Sequence, residues 1–479
     1  MTTPAPALTE PPPPRLRLLI PLVVAIAFLM EQLDSTIITT AIPAMALSLG
    51  TTAVQLNLAV TAYVLTLAVC IPLSGWFADR FGARRIFILA LALFTAGSAL
   101  CGMADSFAVL VATRVLQGIG GAMMTPVGRL ILLRSFPRSQ LVRAMTYMLL
   151  PAILGPMIGP LLGGVLTTYA SWRWIFYVNL PFGAAGILLA LRFIADEGGN
   201  RSLGFDIPGF LLVGTGVGLL QIGMDVLGRP SPSLLAVAAL FAAAVVLLVG
   251  FARYARHVAA PAVDLGLFRL PTFAIGTLAG GLCRVGMNGA PFLLPLMLQI
   301  GFGFSPVVSG ALVLLGTAGG LVMRGVIGPL LRWCGFRTVL LGTAGLGSLV
   351  LAGFALLQPD TPRWLIGLHI ALFGLIRATS FMTSNMLSYS DTPDAKLSQA
   401  TSLFGAVQQL TVSFGVSLAA VLLGTVGGDR AALTPADFHA VFLLTALLPL
   451  LSLPGFLRLR GDDGAHVSGH RHGAGRTQQ

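Results

Sequence analysis

Long apolar runs alternate along this chain with brief interruptions of charge, glycine or proline. Fourteen of them have the length of a helix that crosses a lipid layer, about 20 residues. Their expected bounds are 18–45, 54–77, 86–103, 107–131, 142–168, 174–194, 207–226, 233–252, 271–299, 306–328, 337–357, 364–388, 399–426 and 437–457. Runs of this length are too long for strands, and a spanning helix satisfies its own backbone. The pattern therefore predicts an all-α integral membrane protein with fourteen transmembrane helices and both termini on one side. The first run follows Arg15 and Arg17 as a signal peptide would, yet continues without a small-residue cleavage site, and is read as a retained span.

Composition narrows the function classes. Of 479 residues, 56% are hydrophobic and 10% are charged, against about 25% charged in an ordinary soluble domain. A soluble enzyme and a disordered chain both need more charge than this. The net charge of +12 would suggest nucleic acid in a soluble protein, but here the basic residues flank apolar runs. Twenty of the 29 Lys and Arg fall on the side of the termini. Four fall opposite (Arg173, Arg229, Arg363 and Arg430), and five lie within spans (Arg114, Arg129, Arg284, Arg324 and Arg377). This bias places the termini inside. No Gly-Lys-Ser/Thr occurs, so there is no Walker A loop and no ATP-driven pumping by that route. Cys70, Cys101, Cys283 and Cys334 read as small buried hydrophobes, and His466, His470 and His472 as part of a solvated tail without a metal site.

An internal repeat organises the spans. Gly75-x6-Gly82-x-Arg84 joins spans two and three, and Gly328-x6-Gly335-x-Arg337 joins spans ten and eleven, 253 residues later. The same offset lays Glu31 over Arg284. Two parallel six-helix units with a site between them are a known way to build a transporter. The expected organisation is a disordered tail (1–14), a first six-helix bundle (15–200), two inserted helices (201–256), a second six-helix bundle (257–460) and a disordered basic tail (461–479).

Several stretches carry a family resemblance. Leu33-Asp34-Ser35-Thr36 through Ala41-Ile42-Pro43 lies in the first span, and Gly75, Asp79, Arg80, Gly82, Arg84 and Arg85 lie in the second loop. The fourth span holds Arg114-x2-Gln117-Gly118-x-Gly120-Gly121, and the fifth Gly155-x3-Gly159-Pro160-x2-Gly163-Gly164. Trp172-Arg173-Trp174 and Asn179-Leu180-Pro181 follow. Together these resemble the major facilitator superfamily, specifically its fourteen-span drug:proton antiporter branch. Glu31 departs from that branch, which often has an uncharged residue there, and Ala83 replaces a commonly basic position.

Charge inside the membrane marks the candidate chemistry. An ionised side chain at mid-bilayer costs about 2.5–3.5 kcal/mol on insertion scales, so it needs a partner or a wet cavity. Glu31 and Asp34 share one face of the first helix. Counting about 1.5 Å per residue from each helix end sets Asp34 and Arg114 at comparable depth, and a pair between them is expected. Asp34, Glu31 and Arg114 are the proton-coupling candidates. No acid is read within the spans of the second half, so Arg284 and Arg377 are expected to pair across the cavity with Glu31 or Asp34, or to bind an anion. Gln32, Gln117, Asn288, Gln299 and Asn385 join those two as candidate cavity residues. Arg129 and Arg324 are expected to snorkel. Asp79 with its basic neighbours reads as a conformational gate between rocking halves. Gly155, Gly159, Pro160, Gly163 and Gly164 read as a pliable, closely packed helix at their interface.

The resemblance implies a proton-coupled antiporter of the bacterial inner membrane, exporting drug-like compounds. Its expected partners are a small-molecule substrate, protons and membrane lipid, with no nucleic acid and no cofactor, in a monomer; a periplasmic adaptor is left open. An organic-anion transporter using Arg284 and Arg377 is the alternative, and a non-transporting membrane sensor is the second.

Overall fold

Backbone amides in lipid find no water, so each apolar run must close its own hydrogen bonds. The computed structural model describes residues 19–136, 138–196, 198, 206–227, 232–258, 263–393, 396–428 and 433–468, and every long element among them is helical. In order they are α1 (Leu19–Ile37), α2 (Ala53–Phe81), α3 (Ala83–Met103), α4 (Phe107–Ser135), α5 (Arg138–Tyr169), α6 (Asn179–Phe193), α7 (Ile207–Leu227) and α8 (Leu234–Tyr254). There follow α9 (Pro271–Gly301), α10 (306–334) and α11 (336–353), α12 (Arg363–Ser390), α13 (Leu397–Gly427) and α14 (Pro435–Leu451). These correspond one to one with the fourteen apolar runs. The tail 1–14, Arg201, Arg229, Arg430, His470 and His472 lie outside the described residues, as do the side chains of Arg143, Arg324 and His466.

Helix ends follow local chemistry. Thr52 and Gln55 form a reciprocal capping box at α2, and Ser305 caps α10 with Pro306 in its first turn. Thr434 and Asp437 make a second box at α14. Asp437 therefore corrects the expectation of no acid in the second half's spans: it sits at the very edge of one, committed to its cap. The first run, expected to be continuous over 18–45, breaks into a 3-10 turn at Ile38–Thr40 and restarts as a short helix, Ile42–Ser48. Pro43 explains the break, since it cannot donate to the preceding turn and its ring needs a helix start.

The repeat is visible in the backbone. Gly82 alone separates α2 from α3 with φ +96°, and Gly335, 253 residues on, separates α10 from α11 with φ +71°. Both lie in the left-handed region that only glycine enters without strain, so one sharp corner is built twice.

The apolar core shows how the halves meet. One large cluster runs through the last six helices and takes in the ends of the first six farthest from the termini, with Ile37, Ile42, Leu56, Cys101, Leu110 and Phe176 among its members. At the other end the first half packs into a cluster of its own, around Val24, Phe28, Phe87, Phe94 and Met124, touched among the described second-half residues by half-buried Val412. The halves thus merge at one end of the bundle and part at the end carrying Gly82. The inserted helix α7 packs on α2 and α13, with α8 stacked outside it.

A loop pair staples the start of α9 to the start of α13. Lys396 lies 3.0 Å from the Asp264 carboxylate, which also accepts from Gly266 N–H at 2.8 Å. Partial burial would raise the Asp264 pKa, but the Lys396 bond and the Gly266 amide outweigh it and hold the carboxyl below its usual range. A depressed carboxyl stabilises the fold above its unfolded pKa, about 3.9, and loses that contribution as pH falls through the lower folded value. Asp264→Asn keeps the amide bond and removes the charge. Thermal melts are expected to show it less stable at neutral pH by no more than about 1 kcal/mol, as for any partly exposed pair. The difference from wild type closes below about pH 4.

Candidate functional site

α1 packs on α4, α5 and α6, and this puts its two acids in different surroundings. Asp34 is 1% exposed and faces inward among the first-half helices. Arg114 of α4, 0% exposed, donates to its Oδ2 at 2.6 Å. Gln117, one turn along α4, donates to Oδ1 at 2.8 Å and accepts from Arg114 at 2.7 Å. Asn179, at the start of α6, reaches Oδ1 at 3.4 Å and is itself held by Ser98 at 3.1 Å. The Arg114 guanidinium also donates to the Ala59 carbonyl at 3.2 Å and lies 4.1 Å from the Tyr63 ring centre. The pair predicted from helix rise is made directly, inside a polar knot that supplies both partners with further bonds. Further bonds of this kind are what a buried ion pair requires, because desolvation otherwise exceeds the Coulombic gain; Arg114 Nη2 and Asn179 Oδ1 are left without a partner.

Glu31 turns to α4 elsewhere. It is 8% exposed, and Thr125 Oγ1 donates to its Oε2 at 2.5 Å. Arg129, one turn farther along, is exposed and lies over Phe28 at 5.7 Å. Thr125 was not legible from the sequence, where a threonine in an apolar helix ordinarily bonds its own preceding turn.

The expected cavity residues separate into four groups. Gln117 stands behind Asp34 at 0% exposure rather than at a wall. Gln299 ties the halves together at their merged end, donating to the Thr40 carbonyl at 3.1 Å. Gln32 is half-buried where α1 meets α5. Arg284 and Asn288 on α9, and Arg377 and Asn385 on α12, cluster in the second half. Arg377 reaches Asn288 Oδ1 at 3.5 Å. Neither arginine pairs with Glu31 or Asp34, contrary to the cross-cavity expectation: Asp34 is taken by Arg114 and Glu31 by Thr125.

The loop Gly75–Arg85 braces helix ends. Asp79 pairs with Arg134 at the end of α4 at 2.7 Å. Arg85 pairs with Asp196, just beyond α6, at 3.0 Å, and Arg84 donates to the Leu191 carbonyl. Arg85 holds the Asp196 carboxyl below its usual range. Arg80 lies over Trp76 at 5.1 Å. These partners all belong to the first half. Gly75 and its counterpart Gly328 face open space, where a Cβ would meet nothing within 4 Å.

On α5 the glycines do face neighbours. Gly155, Gly159 and Gly163 lie against Gln32, Thr36 and Ile37 of α1, and a Cβ on Gly155 would come within 2.8 Å of Gln32. Gly164 lies against Pro306, and Gly310 of α10 against Pro160. Pro160 lacks an N–H, so it leaves the Pro156 carbonyl unpaired within its helix. Thr317 of α10 donates to that carbonyl at 3.2 Å, and Thr40 donates to the Pro160 carbonyl at 3.2 Å. α5 is therefore wedged between α1 of its own half and α10 of the other. Gln221 of α7 bonds Ser413 and Ser417 of α13, a tie to the inserted pair with no motif to announce it.

Comparison with known proteins agrees with this architecture. The family model described as Major Facilitator Superfamily matches residues 24–416. The MdtD protein of Pectobacterium carotovorum subsp. carotovorum (strain PC1), whose name assigns it provisionally to multidrug resistance, is 39% identical over 440 residues, covering 91% of this chain and 94% of that one. The protein of the same name in Escherichia coli O6:H1 (strain CFT073) is 38% identical over 451 residues, covering 93% and 94%. Among solved structures, a bacterial homologue of the human lysosomal transporter Spinster, in an inward-facing and unoccupied conformation, matches 98% of this chain and 100% of its own with TM-score 0.65 and 16% identity. The nucleoside transporter NupG matches with TM-score 0.64 and 13% identity over 93% of this chain and 100% of its own. At such identities these structures speak to the fold alone.

Proposed function

Because the chain belongs to the major facilitator superfamily and is a multi-pass membrane transporter rather than an enzyme, we propose that it is a proton-coupled antiporter. It exports small organic compounds across the bacterial inner membrane by alternating access, with both termini in the cytoplasm. The MdtD-named relatives support a multidrug-type cargo, and the Lys/Arg bias supports the orientation. In that orientation the halves part on the cytoplasmic side, which corresponds to an inward-open state.

The observation that carries the proton reading is the Asp34–Arg114 pair at 2.6 Å inside the first half. A proton placed on Asp34 cancels the charge that Arg114 neutralises. A proton on Oδ2 displaces the Arg114 donor, while Gln117 and Asn179 keep Oδ1 as their acceptor. The knot joins α1, α4 and α6, so loading and unloading one proton repositions the helix that α5 clasps. Glu31, held by Thr125 nearer to exposed Arg129, is the relay between this knot and the open side. Proton entry supplies about 2.3 kcal/mol per charge per 100 mV, besides the pH gradient. In the opposite state the cytoplasmic ends close, and Gly75 and Gly328 receive the facing half while the Asp79 and Arg85 pairs keep the first half's ends in register.

Everted vesicles test this. Acidifying the lumen is expected to drive uphill uptake of at least one of ethidium, rhodamine 6G and Hoechst 33342 beyond that of vesicles lacking the protein, and a protonophore should collapse it. Uptake indifferent to the protonophore would remove proton coupling, and none beyond the control for all three would remove the multidrug reading.

A further inference from the structure

Arg284 is a charged side chain at membrane depth without a counter-charge. It is 4% exposed, and none of its three guanidinium nitrogens has a hydrogen-bond partner. What surrounds it is aromatic: the Phe404 ring centre lies 4.9 Å away and that of Phe381 5.9 Å, with the Tyr389 ring tilted against Phe404 at 5.5 Å. Among the described residues, the spans of the second half hold no acid except Asp437, which is spent on its cap. A buried, unbonded guanidinium is costly. The first half solves the same problem at Arg114 by supplying Asp34; the second half supplies nothing.

The surroundings are built for an occupant. Arg377, Phe381 and Asn385 recur every four residues on α12 and are all half-buried, so they line one accessible stripe. Phe381 thus joins this stripe to the Arg284 guanidinium, 5.9 Å from its ring centre, with Arg377 one turn away, bonded to Asn288 at 3.5 Å. Gly281 leaves room beside the guanidinium, where a Cβ would stand 3.9 Å from an Arg284 nitrogen. α9 carries two π-turns, Ile275–Ala279 and Met297–Gly301, on either side of this segment, a distortion frequent at functional sites.

We propose that Arg284 and Arg377 bind the anionic group of an aromatic organic anion, whose ring takes the place of Phe381 against Phe404. This rests on the reading of the chain as a small-molecule transporter and names a cargo class for it. Carboxylate, sulfonate and phosphate oxygens all suit two guanidiniums, and the ring suits the aromatic wall.

The test is binding to the purified full-length protein, which needs no gradient and so stands apart from dye efflux. The probes are 2-naphthoate, 2-naphthalenesulfonate and 2-naphthyl phosphate, each beside a neutral counterpart: the carboxamide, the sulfonamide and 2-naphthol. At millimolar concentration at least one anion is expected to raise the melting temperature of the wild type while its neutral counterpart does not. Which of the three anions acts identifies the headgroup. Arg284→Gln and Arg377→Gln should each weaken it by about tenfold or more, and Arg284→Lys should recover part of the loss. The proposal falls if no anion outperforms its neutral counterpart on the wild type, or if both glutamine variants bind as the wild type does. Should Arg284→Gln not fold, the wild-type comparison and Arg377→Gln decide alone. Wild-type vesicles that carry no dye would overturn the efflux reading without touching this result.

Discussion

Arg114→Ala is expected to destabilise the protein by about 3–5 kcal/mol, the range found when one member of a buried ion pair is removed. The loss follows from what remains. Asp34 would keep Gln117 and Asn179 as donors but no positive charge, in a position 1% exposed to solvent. The Tyr63 ring would lose the cation 4.1 Å from its centre. The double variant Asp34→Asn/Arg114→Gln removes both charges and leaves hydrogen-bonding groups, so it should regain much of the stability. Melting of the wild type, Asp34→Asn, Arg114→Gln and the double variant in detergent forms a double-mutant cycle, and a double variant no more stable than Arg114→Gln would show that the charges are not what the knot holds. Asp34→Asn alone should fold and yet fail to concentrate substrate against a gradient in everted vesicles. Persistence of uphill, pH-driven transport in that variant would sink the proton role of Asp34 while leaving its structural one.

The second large effect is expected at Gly159. Valine there places two methyl groups where Thr36 of α1 already stands. α5 cannot retreat, because Gly164 and Pro160 on its other side lie against Pro306 and Gly310 of α10. Overpacking of this kind costs about 1–3 kcal/mol, and transport should fall further than stability does, since α5 must move against both neighbours. Gly342→Ala is the control: a Cβ there meets nothing within 4 Å, and a helical glycine replaced by alanine should gain up to about 1 kcal/mol. If Gly159→Val melts with the wild type and transports at its rate, the clasp on α1 is not tight in the working protein.

Much of this architecture is legible in one dimension because lipid enforces it. Each spanning segment must be both apolar and helical, so fourteen runs give fourteen helices. Where a helix outruns its expected bounds, charge has ended the apolar run but not the helix, as at Asp79 and Arg80 in the last turn of α2. The Asp34–Arg114 pair was legible because helix rise converts residue number into depth. Depth does not determine direction, however. Two acids three residues apart share one helix face, yet one turns to Arg114 and the other to Thr125. The same blindness sent Arg284 and Arg377 toward acids that already had partners. Contacts made through main-chain oxygen, such as Thr317 to Pro156, carry no sequence signature beyond a proline four residues downstream.

That last contact has a consequence for mutational mapping. The acceptors that fasten α5 to its neighbours are carbonyls of Pro156 and Pro160, which side-chain exchange on α5 leaves in place. Within that helix a scan would touch this latch only at Pro160, whose replacement restores an N–H that competes for the Pro156 carbonyl; its donors, Thr317 and Thr40, lie on other segments.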